Sequence, residues 1–190
     1  MSRQCGLKNI HVALITKDAE GIETYGVPTK LERAIKATIK PSATQTLLYS
    51  DDSVEDAVNF FEKVDISIEL NQLSLTSRAL LQGAKLIKGV LKETKNDIPP
   101  VLAFGFQSKK TNGKNRFVWL YRGTFNLNDD SYETEADKFQ DQTASLDAVF
   151  YARESDGSYR LIADEDEPLV DAAIITAWFT TVPEQPTATA

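Results

Sequence analysis

The sequence contains one cysteine, Cys5, and one histidine, His11, among its 190 residues. A single cysteine excludes an internal disulfide framework, and one cysteine with one histidine does not supply the usual ligands of a zinc site. Any Ser-His-Asp or Cys-His catalytic arrangement has to use His11. In an extended segment Cys5 and His11 are about 20 Å apart, too far for proton transfer. The sequence therefore disfavours an enzyme, and we expect no catalytic residue, no metal site and no cofactor.

Long apolar runs are also missing. No segment approaches the ~18 apolar residues that cross a bilayer, and the N-terminus has no apolar signal core. We therefore expect no membrane partner, and a protein kept in a cytoplasm unless a larger particle carries it out. The formal net charge of −7 disfavours simple nucleic-acid binding, because phosphate contacts need clustered Lys and Arg.

The charge is spread unevenly along the chain. Residues 126–171 contain 14 acids against three bases, a net charge of −11. The remainder carries 14 acids and 18 bases, a net charge of +4, so that the two parts give −7. A subunit with one acidic and one mildly basic region can pair head to tail with copies of itself. The alternative interpretation is that the acidic loops are simply solvated.

Alternation of apolar and polar residues is the main pattern of the chain. It predicts half-buried strands at residues 35–39 and, most clearly, at 64–70. Aromatic and β-branched runs at 101–107 and 116–125 flank Asn112-Gly113, which suits a tight hairpin turn.

A second hairpin is predicted between residues 144–153 and 159–163, through the turn at 155–158. Helices are predicted at 75–82, ending at Gly83, and at 169–180. The fold class that follows is mainly β, with two packed antiparallel sheets, a short internal helix, a C-terminal helix and long loops.

Two polar clusters allow a functional and a structural interpretation. The acidic run Asp164-Glu165-Asp166-Glu167 either ligates calcium or favours the start of the following helix, and the missing calcium-loop spacing favours the helix. The basic residues Lys109, Lys110, Lys114 and Arg116 stand beside Phe117, Trp119 and Tyr121. They form either a platform for single-stranded nucleic acid or, more economically, a core strand with a solvated turn.

Several segments, in order along the chain, resemble the major tail proteins of siphophages that infect Gram-positive bacteria. They are Gly6-Leu7-Lys8-Asn9-Ile10, Leu48-Tyr49-Ser50-Asp51-Asp52, Asp65-Ile66-Ser67-Ile68-Glu69-Leu70, residues 103–114, Phe117-Val118-Trp119-Leu120-Tyr121-Arg122-Gly123, Asp164-Glu165-Asp166 and Ala177-Trp178-Phe179-Thr180. The resemblance covers residues 6–182, and collinearity makes it more specific than any single segment.

The resemblance implies a tail-tube β-sandwich that catalyses nothing. It implies partners of four kinds: other copies of the chain in stacked hexameric rings, the tape-measure protein, tail-end proteins, and genome DNA that passes through without sequence-specific binding. The expected location is the virion tail, with assembly in the host cytoplasm. We expect one tail-tube domain over residues 1–182, a flexible tail over 183–190, and no added immunoglobulin-like domain.

Two sets of residues are candidates for the functional surfaces of such a tube. A wall that carries carboxylates repels DNA phosphates, so Asp65, Ser67, Glu69 and Asp147 are candidates for lining the lumen; the alternative is the outer surface. Residues 41–63 follow no single period although they are rich in apolar side chains, and we predict an inter-subunit arm. The competing interpretation is a hairpin packed on its own domain. The apolar arm candidates are Leu47, Leu48, Tyr49, Val54, Val58, Phe60 and Phe61.

Other functions stay open from the sequence alone. Another tail component, such as a terminator protein, or the tube of a tail-derived bacteriocin shares these features. A β-sandwich carbohydrate-binding module is the alternative from a different class. It would present Trp119 and Tyr121 as an exposed sugar platform.

Overall fold

A computed structural model describes residues 2–17, 23–50, 53–126 and 143–186, and at 46–50 and 53–58 it describes the backbone only. The strands of the described residues are β1 (Gln4–Lys17), β2 (Glu23–Tyr25), β3 (Thr29–Lys30), β4 (Ala34–Ser50), β5 (Ser53–Leu70), β6 (Lys85–Ile87), β7 (Val90–Lys92), β8 (Leu102–Lys110), β9 (Asn115–Phe125), β10 (Ala144–Tyr151) and β11 (Arg160–Asp164). The helices are α1 (Leu75–Gln82) and α2 (Ala172–Ala177).

Most of these strands form one large antiparallel sheet. Its order in the described part of the chain is β2-β1-β8-β9-β10-β5-β4, with β3 paired to β1 and β11 paired to β9. β6 and β7 form a separate two-stranded sheet. The predicted mainly-β class, with a short internal helix and a C-terminal helix, is confirmed. The two sheets are very unequal in size.

The large sheet curls around the main core. β1 and β4 lie near opposite ends of the strand order, yet they contact each other. The core that the sheet encloses consists of buried side chains from the inward faces of its strands and of Leu81 from α1. They include Ile10, Val12, Val64, Ile66, Ile68, Leu70, Leu102, Phe104, Phe106, Leu120, Leu146 and Phe150.

β8 and β9 are buried on both faces over most of their length, which explains the continuous apolar runs at residues 102–106 and 117–121. The second face carries a smaller cluster in which Trp119 packs with Trp178 from the C-terminal segment. Gly105 is paired with Trp119 across β8 and β9. A Cβ atom at Gly105 would lie 2.6 Å from the Trp119 ring, so only glycine leaves room for the indole.

Helix α1 has the bounds that the sequence predicts. Ser74 caps its N-terminus by accepting a 3.2 Å hydrogen bond from the Ser77 amide. Gly83 ends it with a φ of 69°, a left-handed conformation that glycine adopts without steric cost.

The second predicted hairpin is wrong. β10 pairs with β5 and with residues 122–125 of β9, and β11 pairs with residues 116–120 of β9. The turn does form, because the Gly157 amide bonds the Arg153 carbonyl. The two strands then lie one after the other along β9, which is long enough to pair with both.

The C-terminal region also differs from its prediction. α2 begins at Ala172 with Asp171 as its N-cap, so the acidic run at 164–167 does not cap it. Pro183 and Glu184, which we predicted to lie in a flexible tail, contact the domain: the Tyr121 hydroxyl donates to the Pro183 carbonyl, and Arg153 binds Glu184. Residues 187–190 lie outside the described part of the chain. Neither of the two helices in the described part of the chain has the length and the apolar run that spanning a membrane requires.

Candidate assembly surfaces

The β4–β5 hairpin extends beyond the sheet. β5 pairs with β10 only over Val64–Leu70. From the pair Ser42–Lys63 to the pair Ser50–Ser53, β4 and β5 pair only with each other among the described residues. At about 3.4 Å per residue, this free part is roughly 25 Å long. Residues 41–50 and 53–63 therefore pair as the two strands of a hairpin, as the competing interpretation required, but no other described strand pairs with its outer part. We call this free part, residues 42–50 and 53–63, the arm.

The base of the arm carries exposed aromatic side chains. Phe60 is 59% exposed. Phe61 stacks on Tyr159, with 4.3 Å between ring centroids, which fixes the base to the body. Leu47, Leu48, Tyr49, Val54 and Val58 lie in the paired backbone of the arm, and their side chains lie outside the described atoms. Ordering of the arm across subunits stays a prediction.

The structure brings the four lumen candidates together on one outward face. Asp65, Ser67 and Glu69 alternate with the buried residues of β5, and Asp147 is paired with Ser67 across β10 and β5. This face borders a shallow depression of about 410 Å³. The residues that line the depression include Thr38, Lys40, Asp65, Ser67, Asn126 and Asp147.

The same face also carries basic residues that the sequence pattern did not place there. In the register of β4 and β5, Lys40 is opposite Asp65 and Lys36 is opposite Glu69. The Lys63 ammonium lies 3.0 Å from the Asp65 carboxylate, and this hydrogen bond raises the pKa of Lys63. The face is therefore mixed in charge rather than a wall of carboxylates. Its position facing a lumen stays a prediction.

An ionic cluster stands at the end of β8. Lys110 is buried and binds Asp164 and Asp166. Arg116 donates two hydrogen bonds to Asp164, at 2.9 and 2.8 Å. Burial disfavours the charged form of Asp164, but these hydrogen bonds outweigh it and hold its pKa below the usual range. The hydrogen bond from Lys110 likewise lowers the pKa of Asp166.

These contacts bear on the two functional interpretations that the sequence disfavoured. The acidic run binds side chains of its own chain, and the described residues contain no group of three or more His, Cys, Asp or Glu side chains that could hold a metal ion. Lys110 is buried rather than offered to a nucleic acid. Trp119 is 0% exposed and Tyr121 is 2% exposed, so neither can serve as a sugar or base platform.

The C-terminal segment closes the second face of the sheet. The Trp119 indole donates to the Trp178 carbonyl at 2.9 Å, and His11 stacks on Phe179 with 4.4 Å between ring centroids. This stacking makes the lone histidine a packed residue, and burial lowers the pKa of His11. Nearby, burial raises the pKa of Tyr25 to about 12, because the phenolate is disfavoured there.

Together these features define a mainly-β fold with a projecting hairpin arm and a paired ionic cluster. No protein-family model matches the chain, and the comparison with curated proteins found no significant relative.

Proposed function

We propose that this chain is a tube-forming structural subunit, the major tail protein of a long-tailed phage. In this proposal it forms hexameric rings that stack around a tape-measure protein and later conduct DNA. The observation that carries the proposal is the arm: a two-stranded ribbon that leaves the sheet and, beyond its base, pairs with no other described strand. An isolated two-stranded hairpin is marginally stable in water, so an arm of this length gains most by packing on another subunit.

The outer edge of β4 supports the same proposal. Within the described residues, β4 pairs only with β5 along its whole length, which leaves one row of backbone groups unpaired. Such an edge pairs readily with another chain. This edge is interrupted by Pro41 and by the lysines Lys36 and Lys40. Proline and lysine on an edge strand limit non-specific pairing with other chains, which fits an edge that pairs with a subunit in one specific arrangement.

A carbohydrate-binding module is not supported, because its proposed platform of Trp119 and Tyr121 is buried. The test of the tube proposal is negative-stain microscopy and sedimentation over a hundredfold concentration range. We expect a monomer when dilute and rings or tubes with a central channel when concentrated, because heterologous contacts close rings only once enough subunits meet. A fixed monomer or dimer throughout contradicts the proposal. Rings that never stack favour a terminator-type component.

A further inference from the structure

The small β6–β7 sheet is a basic hairpin with an apolar tip. Ile87 and Val90 flank the turn and are 65% and 68% exposed. Four exposed lysines surround them in the sequence of the hairpin and the segment after it: Lys85, Lys88, Lys92 and Lys95. The acids of the same stretch, Glu93 and Asp97, bind Arg78 and Thr94, so the charge beside the apolar tip is mostly positive. An apolar tip beside positive charges suits contact with an apolar surface beside negative charges.

The turn of this hairpin carries a lysine where another residue suits the backbone better. Lys88 and Gly89 have φ angles of 51° and 79°, as in a two-residue hairpin turn that favours Asn-Gly or Asp-Gly. Lys88 therefore places a positive charge at the tip against the local backbone preference. The turn also fixes the directions of Ile87 and Val90, so the tip is pre-organised for a contact.

A complementary surface lies in the loop between β11 and α2. Leu169 is 97% exposed, and Glu167 and Asp171 beside it are exposed acids. The loop is held in place at its start, since Asp166 accepts from Lys110 at 2.6 Å and the Asn115 amide donates to Glu165 at 2.7 Å. It thus offers an apolar side chain with negative charges on a fixed support.

The two surfaces lie at opposite ends of β8. The basic hairpin follows Gly83, whose backbone packs against Ile98 and Pro100, just before β8 begins. The acidic loop is anchored to Lys110, where β8 ends. Nine residues of strand separate the ends by about 27 Å. The hairpin and the loop are therefore supported at opposite ends of the same strand.

We propose that the basic hairpin of one copy docks on the acidic loop of the next copy, with Ile87 and Val90 against Leu169 and Lys88 and Lys92 facing Glu167 and Asp171. The contact joins different surfaces of identical chains, so it is heterologous and propagates from copy to copy. This inference rests on the proposed self-assembly, and it names the two surfaces that meet in it: the basic hairpin and the acidic loop.

Site-directed cross-linking tests the contact directly. In a Cys5→Ser background, which removes the exposed native thiol, Val90→Cys and Leu169→Cys variants are mixed under assembly conditions and oxidised. We expect a disulfide dimer in the mixture and none above background in either variant alone. Val27→Cys is the matched control, because Val27 is an exposed apolar residue, 84% exposed, outside both surfaces. A mixture of Val27→Cys with either Val90→Cys or Leu169→Cys should give no cross-link above background.

A charge test separates docking from folding. Lys88→Asn suits the turn better than lysine, so the monomer should be at least as stable as the wild type. Its assembly should nevertheless need a roughly two- to fivefold higher concentration, the effect of one exposed charge pair. Lys88→Glu should weaken assembly further, and Glu167→Lys in the same chain should restore it.

The outcomes distinguish this contact from the tube proposal. Tubes that form normally without the Val90–Leu169 cross-link, or with only like-to-like cross-links, overturn the docking assignment and leave the tube proposal standing. A chain that never assembles overturns both.

Discussion

Gly105 shows how a single missing side chain permits the packing of β8 on β9. Gly105→Ala would place its methyl group 2.6 Å from the Trp119 ring. We expect it to lower the free energy of unfolding by about 1–3 kcal/mol, the usual cost of overpacking a core. Chemical denaturation measures this. Gly6→Ala is the matched control, because its Cβ atom meets Lys109 at an ordinary 3.6 Å. Equal stability of the two variants would contradict the packing argument.

The ionic cluster at Lys110 makes the free energy of unfolding depend on pH in the acid range. The pKa values of Asp164 and Asp166 lie below the ordinary value of 3.8, so their charged forms stabilise the folded state. That stabilisation is fully present above about pH 5 and is lost as the pH falls through the folded-state values. We expect Asp166→Asn to be less stable than the wild type at pH 7 and to approach it below pH 3. Parallel stability profiles from pH 7 to pH 2 would show that Asp166 does not contribute in this way.

Among the secondary-structure elements, those with local signals were predicted and those with distant partners were not. The bounds of α1 follow from Ser74 and Gly83, and the β8–β9 hairpin follows from Asn112-Gly113. The β10–β11 turn was also visible in the sequence. The pairing of both β10 and β11 with β9 was not visible, because the partner of a strand depends on which strand edges the rest of the sheet leaves unpaired.

The candidate sites divide in the same way. Period-two alternation was enough to place Asp65, Ser67 and Glu69 on one face. It could not show that Lys36 and Lys40 share that face, since this depends on the register between β4 and β5. The basic hairpin was missed, although Lys88-Gly89 at its turn is a signal within the sequence. A lysine before glycine is a weak turn signal compared with Asn-Gly.

The arm is the element whose removal should separate folding from assembly. Replacing residues 46–58 with Asn-Gly closes the hairpin at the pair Gln45–Asn59 and leaves the main core untouched. We expect a folded monomer with a melting temperature within a few degrees of the wild type and no tubes by microscopy. Hydrogen exchange on the intact chain is the companion measurement, and protection of residues 41–63 should rise on assembly. Equal protection in monomer and tube would mean that the arm belongs to the subunit's own core.

For the assembled molecule, the lumen assignment predicts whether tubes retain or release double-stranded DNA. If Asp65 and Glu69 face the channel, Asp65→Lys with Glu69→Lys should leave tubes intact and make them retain double-stranded DNA at low salt, because phosphates bind clustered lysines. Co-sedimentation measures the retention, and in particles the same change should slow ejection. Lys36→Glu with Lys40→Glu, on the same face, is the opposite control and should retain none. Lysine-substituted tubes that release DNA like the wild type would place this face outside the channel.

The pairing of β1 with β8 has a consequence for how the chain is made. Val12 pairs with Phe104, so β1 leaves the ribosome roughly ninety residues before its partner. At about 5–20 residues per second, translation of that interval takes on the order of five to twenty seconds. During this time β1 can pair with β2 and β3, and the β4–β5 hairpin can form, but the edge of β1 that β8 will occupy stays open. The first strand to be synthesised therefore keeps one edge unpaired until β8 follows it, and nascent chains crowded on one messenger are most exposed to mispairing at their N-termini.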